Sequence, residues 1–472
     1  MAVGWIVAAT MLCAVSACGS KSSSTGASGA GGTGASGAAG PTGAQGCPDL
    51  FDQATLRTYA IEIAPDEWNS IQAEFHDLST LVSSGNDFVS RHAVVFHMGS
   101  ETVSDATFKL HGQSSWAQTA MLDGDRQKMQ FDISFHEHDP HGKFHGIGKL
   151  VFDMPRSDWT FLHDRLAHAW LRQSGIAAGC AASARVEING AYYGLFVAEE
   201  TTSKRVLKQF FPDHPDGDLW KGAIQPETNQ EMPDWTRQMA FSHATDIAGL
   251  STIVDLQPSV TEWAAEALLN NADGTYGGWH NLYLYDTGPK GLVYLPNDTD
   301  STFDWLAQFD TVPADDHPIY WWERRAAPAP VPAAAWLAVM NDPTWRGHYV
   351  DAIAAMLAQW DVAQIQGWID SWSQQIAEAV AADPHTWATP AQFHDAVATA
   401  RDIVSKRAAF LQSFVDCERK GAGDDRDGDG TRWCDDCRDD DASVHPGAAE
   451  ICGNGVDDDC NGVPDDGCGG GR

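Results

Sequence analysis

The chain is expected to fold as an α+β protein, strand-rich in its first half and helix-rich in its second, followed by a small module stapled by disulfides and metal. Three observations predict this. Short alternating apolar runs separated by turn residues dominate residues 56–200, and long stretches of helical spacing dominate residues 333–414. Six of the ten cysteines fall after residue 416, where apolar residues are too few to bury a core.

The elements follow in order. Leu56, Thr58 and the Ile61/Ile63 alternation mark a first strand, and Asp66-Glu67-Trp68 opens a helix. Val94-Val95-Phe96, residues 107–110 and residues 129–135 continue a sheet. Residues 159–175 carry Phe161, Leu162, Leu166, Ala169 and Trp170 at helical spacing and stop at Gly175. Residues 185–200 form a hairpin around Asn189-Gly190, a pair suited to the two positive φ angles of a tight turn. Runs at 283–285 and 292–295 are two short strands joined by Asp286-Thr287-Gly288-Pro289-Lys290-Gly291. That pairing puts Asn281 at the start of one strand and Asp298 just past its neighbour, on one rim. Helices are expected at 333–340, 345–357, 362–381 and 390–414.

Composition narrows the class. The chain has 472 residues, 43% of them hydrophobic, with 19 Trp, so most of it can bury a core. A formal net charge of −35 would repel nucleic acid and argues against it as a partner. It suits a soluble surface, Ca²⁺-binding loops or basic protein substrates. No run of 18 apolar residues occurs beyond the N-terminus.

Residues 1–18 read as a lipoprotein signal peptide. Trp5 to Leu12 form an apolar stretch, and Val15-Ser16-Ala17-Cys18 resembles a bacterial lipobox in which Cys18 takes the lipid. The absence of Lys or Arg ahead of it departs from the usual pattern. Residues 19–46, rich in Gly, Ser and Ala, would form a flexible tether with an r.m.s. span of roughly 30 Å. An exported bacterial lipoprotein is expected, held at the cell envelope, on the outer membrane, through Cys18. Without Cys13 and Cys18 eight cysteines remain, an even number that implies disulfides of open connectivity.

The chemistry concentrates in residues 270–303. Asp273, then Asn281 at the head of an apolar run, then Asp298-Thr299-Asp300 after a second run is an arrangement suited to phosphoryl transfer. One carboxylate takes a proton from an incoming hydroxyl while amide and carboxylate oxygens hold Mg²⁺ against a nucleotide. The same residue types also serve commonly as loop and cap residues.

Several segments together resemble the CotH family of atypical secreted protein kinases. These are Phe108-Lys109-Leu110-His111-Gly112-Gln113-Ser114-Ser115, Phe161-Leu162-His163-Asp164-Arg165-Leu166-Ala167, residues 186–200, Asn271-Ala272-Asp273, Asn281-Leu282-Tyr283-Leu284-Tyr285, and Pro296-Asn297-Asp298-Thr299-Asp300. The resemblance covers about residues 50–415 and implies a two-lobed kinase-like domain over residues 47–416. It further implies ATP with Mg²⁺ or Mn²⁺, and transfer of the γ-phosphate to Ser or Thr hydroxyls of a protein, one that could be basic or Ser/Thr-rich. In that reading Gly112, Ser114 and Ser115 cradle phosphate, Lys128 pairs with it, and Lys221 is a second basic candidate. Glu200 orients Lys128 or joins the metal shell, Asp273 is the base, and Asn281, Asp298 and Asp300 hold metal. Two departures stand out. Asn297 replaces the family's usual Trp, and His111 stands where Arg is common, removing a permanent positive charge.

Residues 417–472 are read as a separate module. Asp425-x-Asp427-x-Asp429-Gly430, with Asp436 at the twelfth position, has the ligand spacing of an EF-hand loop. Asp457-x-Asp459-x-Asn461-Gly462 is a weaker second copy. The stretch from Cys434 to Cys468 resembles a metal-binding motif at the ends of myxobacterial-type surface proteins, and Ca²⁺ is the expected ion.

Other chemistries fare worse. His136, His138, His141 and His145 are irregularly spaced in a Pro/Gly loop without a Cys, and no Gly-x-Ser-x-Gly elbow marks a Ser hydrolase. The competing functions are a non-catalytic kinase-like surface protein for adhesion or binding, and ATP-dependent transfer of another group such as AMP.

Overall fold

The computed structural model describes residues 46–77, 88, 90–112, 116, 119–120, 127–154, 158–244, 246–275, 281–303, 317–320, 334–421, 423–465 and 467–468. Residues 1–45, where the sequence leads one to expect a signal peptide and tether, and Ser114 and Ser115 lie outside the described residues. The chain divides into two compact units.

The first unit runs to Ser203 and takes in Ala363–Asp402. Its centre is a closed seven-stranded barrel in the order β1-β2-β3-β4-β5-β7-β6. These are β1 (Arg57–Ile63), β2 (His92–Met98), β3 (Glu101–Leu110), β4 (Phe131–Ser134), β5 (Lys149–Asp153), β6 (Ala181–Ile188) and β7 (Ala191–Glu199). Closure comes from a parallel pairing of β1 with β6, Tyr59 opposite Val186. The Asn189-Gly190 turn joins β6 to β7 with φ of 51° and 78°, as its sequence predicts. Alternating side chains fill the barrel with aromatic rings. Phe108 stacks on Phe131 at 4.5 Å, and Phe131 on Phe152 at 5.0 Å. A disulfide between Cys47 and Cys180 ties the start of the domain to the strand before the hairpin.

Helix α1 (Pro65–His76) follows β1, and α2 (His163–Gln173) precedes β6. The latter begins four residues later than its apolar spacing suggests. Asp158 accounts for this: its carboxylate accepts from the backbone N–H groups of Thr160, Leu162 and His163, holding residues 158–162 as a turn.

Lys128 is not where the phosphate-pairing role needs it. Its side chain has no exposure, and Nζ donates to Asp383 Oδ2 at 2.7 Å and to the Leu195 carbonyl at 2.6 Å. Burial lowers its pKa, and Asp383 opposes that shift. Gly194 makes room, since a Cβ there would lie 2.7 Å from Lys128 Cε. Lys128 is therefore a core ion-pair residue, and Asp383, not Glu200, is its partner. Lys128→Ala would leave a buried carboxylate without its counter-charge and should cost about 3–5 kcal/mol. Denaturant unfolding of the full chain checks this, with Lys128→Met/Asp383→Leu expected to lose less.

The second unit holds a four-stranded antiparallel sheet in the order β11-β10-β8-β9. Its strands are β8 (Leu219–Lys221), β9 (Gln225–Pro226), β10 (Leu282–Asp286) and β11 (Leu292–Pro296). Leu282 opposes Pro296, so Asn281 and Asn297 adjoin at one end of the pair. Helices α3 (Lys204–Phe210), α4 (Trp235–Phe241), α5 (Ile247–Leu250) and α6 (Leu256–Leu269) surround this sheet in sequence, and α7 (Ala334–Met340) and α8 (Pro343–Leu357) follow.

Beyond α9 (Val362–Ala382), α10 (Pro390–Lys420) runs six residues further than its apolar spacing implies. Cys417 therefore lies on a continuous helix. The tail belongs to the second unit. Arg346 donates to Glu418 and to the Cys434 carbonyl, the Asn341 amide to the Asn461 carbonyl, and Gly462 abuts Leu337. Disulfides 417–434, 437–460 and 452–468 settle the connectivity that sequence left open.

Candidate functional site

The acid cluster of the second unit is assembled by backbone hydrogen bonds. Helix α6 ends on Asn270 in the left-handed conformation, φ 54°, which turns the chain sharply. The next residues lie along 301–303: Ala272 N–H donates to the Ser301 carbonyl at 2.9 Å and Phe303 N–H to the Leu269 carbonyl at 2.7 Å. Asn281 N–H then donates to the Asp273 carbonyl at 2.9 Å, and Asn297 N–H to the Asn281 carbonyl at 3.2 Å. Asp273, Asn281 and Asp298, 25 residues apart end to end in the sequence, are thus brought to one rim. Asn281 Nδ2 donates to Asp273 Oδ2 at 3.3 Å, leaving its amide oxygen as the ligand atom.

Asp298 itself is in the left-handed region, φ 56°. Its side chain is accessible yet crowded by protein, and its carboxyl is held above the ordinary range. Lost hydration is the main cause; Asp273 adds to it, while Lys221 and hydrogen bonds with Asp300 oppose it. Ser301 Oγ donates to Asp300 Oδ1 at 2.9 Å. Lys221 ends β8 opposite Tyr283, half-buried. The structure therefore gathers Lys221, Asp273, Asn281, Asp298 and Asp300. Hard oxygen donors gathered on one rim, with Asp273 raising the proton affinity of Asp298, fit Mg²⁺ or Mn²⁺, since a divalent cation relieves the repulsion that a proton otherwise relieves.

Sequence reasoning missed what lies beneath this loop. Asn271 Nδ2 donates to the buried Glu266 at 3.2 Å, and Gly274 sits so close that a Cβ would be 2.4 Å from Glu266 Oε1. Burial, with Glu266 beside it, holds Glu262 well above the usual carboxylate range. The signal was present: two glutamates four residues apart on an otherwise apolar helix.

In the first unit Gly112 has φ 92°, a conformation that favours glycine. His111 N–H donates to the Gln130 carbonyl, and its ring lies 3.8 Å from Asp132. Glu200 is buried; its N–H donates to the Cys180 carbonyl and its carboxylate accepts from Ser203. A cavity of about 500 Å³, lined by Trp68, Phe75, Met129, Tyr193 and His385 among others, includes none of the candidate residues.

The tail loops have a consistent design. Asp425 accepts from the N–H groups of Gly428 and Gly430, Asp427 from Asp429, Asp429 from Thr431, and Asp436 from Arg438. Each carboxylate braces the loop. The second oxygens of Asp427, Asp429 and Asp436 are buried without a hydrogen-bond partner, while Asp439 Oδ2 lies 3.3 Å from Arg426 Nε. Asp439, which sequence spacing missed because it lies outside the twelve-residue loop, joins this group. In the second loop Asp457, Asp459 and Glu450 bring ligand oxygens within 4.8 Å of one another, and Glu450 Oε2 is likewise unpartnered. Glu450 was equally invisible, being seven residues upstream. Asn461 accepts from Val463 N–H.

A barrel-bearing unit, and a second unit that sets acids and an asparagine on the rim of an antiparallel sheet, define a kinase-like protein. The CotH kinase protein model matches residues 108–411, more than half of the chain, which belongs to that family. Residues 436–466 match a metal-binding motif whose name refers to copper. No curated protein matches the chain.

The tail has a pH dependence of predictable sign. Burial, then neighbouring acids, push Asp436 up to about 6; burial, with Asp459, does the same to Asp457. The folded, ion-free tail thus binds protons more tightly than the unfolded chain. Its stability from these groups is greatest below their ordinary value of 3.8 and is lost as pH rises through about 6. Trp433 fluorescence during denaturation in EDTA should show the local midpoint falling between pH 4.5 and 7, roughly the window of those shifts.

Proposed function

We propose that the chain is an ATP-dependent protein kinase of the cell envelope, requiring Mg²⁺ or Mn²⁺ and acting on Ser or Thr hydroxyls. The observation that carries this is the convergence of Asp273, Asn281, Asp298, Asp300 and Lys221 through the hydrogen bonds that join residues 270–273, 281 and 297–303. When bound, the ion would neutralise charge on the transferring phosphate. Asp298 and Asn281 would hold it, with Asp300 braced by Ser301 beside them. Asp273, held by the Asn281 amide, would take the proton of the acceptor hydroxyl. Lys221 contributes the nearby positive charge, a role that buried Lys128 does not fill.

Purified protein with Mg²⁺ and γ-labelled or α-labelled ATP tests the reading. Label should enter protein from the γ position alone, and transfer from the α position would mean AMP transfer instead. Asp298→Asn should abolish incorporation. Asp273→Asn should slow turnover by about 10²–10⁴-fold with nucleotide binding retained. Undiminished labelling by Asp298→Asn would overturn the assignment.

The tail's cysteines are all in disulfides, which leaves carboxylate oxygens as its ligands and favours Ca²⁺ over copper. Calorimetry should detect Ca²⁺ binding that weakens in Asp427→Asn and in Asp439→Asn. A flat isotherm for the parent protein would leave the tail as an acidic, disulfide-held spacer. The disulfides also support export, with Cys18 as the membrane tether.

A further inference from the structure

We propose a metal site in the first unit, formed by Asp164, His168 and Glu199 and suited to a first-row divalent cation such as Zn²⁺. One ligand atom from each residue lies within 4.8 Å of the others. Asp164 and His168 are four residues apart on α2 and share a face of that helix. Glu199 ends β7, paired with Ala181 on one side and Val151 on the other. A cation there would clip the helix to the barrel wall.

The histidine is prepared as a ligand. Its Nδ1 lies 3.1 Å from the Gly179 carbonyl, an acceptor only, so Nδ1 carries the proton and Nε2 presents a lone pair. A backbone carbonyl on the far nitrogen is the usual support for a metal-binding imidazole. Gly179 holds its position through a close backbone approach: a Cβ there would stand 1.7 Å from the Glu200 carbonyl oxygen. Arg172 stands one turn further along α2. Arg172 itself donates to the Ala178 carbonyl.

Access and charge fit an ion. Asp164 is buried, while His168 and Glu199 are only partly so, which leaves a side open for entry and for completing waters. Two carboxylates and one imidazole are a mixed oxygen and nitrogen set, chemically unlike the all-oxygen cluster of the second unit. Imidazole with carboxylate selects Zn²⁺, Mn²⁺ or Fe²⁺ over Mg²⁺ and Ca²⁺. This site does not depend on kinase activity.

The test uses the full chain, stripped of metal and then saturated with Mg²⁺ and Ca²⁺ to fill oxygen sites before Zn²⁺ is titrated by calorimetry. One tight Zn²⁺ per chain is expected. Glu199→Gln and His168→Ala should each weaken it by more than the ~10–100-fold typical of losing an outer-shell partner. Glu199→Gln changes a partly exposed side chain with little change in shape, so it decides the matter where His168→Ala fails to fold. No Zn²⁺ binding, or binding unchanged in Glu199→Gln, overturns the proposal; in the latter case surface histidines such as His145 would hold the ion.

Discussion

Carboxylates held together against their own repulsion are the constraint on which both functional regions depend. In the second unit, backbone bonds from 272 to 301, 281 to 273 and 297 to 281 keep Asp273 close enough to Asp298 to raise that residue's hold on its proton. In the tail, Asp427, Asp429 and Asp439 do the same to Asp436. Such an arrangement stores electrostatic free energy that either a proton or a divalent cation releases. The hydrogen bonds of the loops supply this geometry without any ligand.

The chain's few cations are spent mostly on architecture. With 30 Lys and Arg against 65 acidic residues, each buried cation is informative. Lys128 is consumed by Asp383 and Leu195. Arg165 reaches Gln53, Ser183 and Gln375 and stacks on Trp372 at 4.1 Å, and Arg407 donates to the Ala267 carbonyl on α6. These side chains bridge elements distant in sequence by satisfying backbone and amide oxygens inside the fold. Lys221 is different: it is partly accessible and its charge acts on Asp298. This division makes Lys221 the stronger phosphate-facing candidate of the two lysines.

Much of the fold was legible because local chemistry and tertiary packing agree. Asn189-Gly190 can adopt two positive φ angles in succession, so its hairpin needed no distant partner to be recognised. The apolar runs at 282–285 and 292–295, joined by the turn residues 286–291, likewise pair as neighbours, which brings Asn281 beside Asn297. Where the two disagree, sequence misled. Asp158 delayed the start of α2 by capturing three backbone N–H groups. The polar, cysteine-bearing segment at 415–420 continues α10 because Arg346, Glu418 and the 417–434 disulfide hold it there.

The sequence by itself determined which residue types are available: the spaced acids of 273–300 and 425–465, the even number of cysteines from Cys47 onward, and the period of each strand and helix. Those properties are local, set by side-chain alternation, turn preference and ligand spacing. Only the tertiary structure decided which charges face one another. It buried Lys128 against a residue 255 positions away, added Asp439 and Glu450 to the tail's acids, and set Glu266 beneath Asn271. The reason is physical: an ionisable side chain's role depends on its hydration and its neighbours' charges, and both are properties of the folded surroundings rather than of the chain's order.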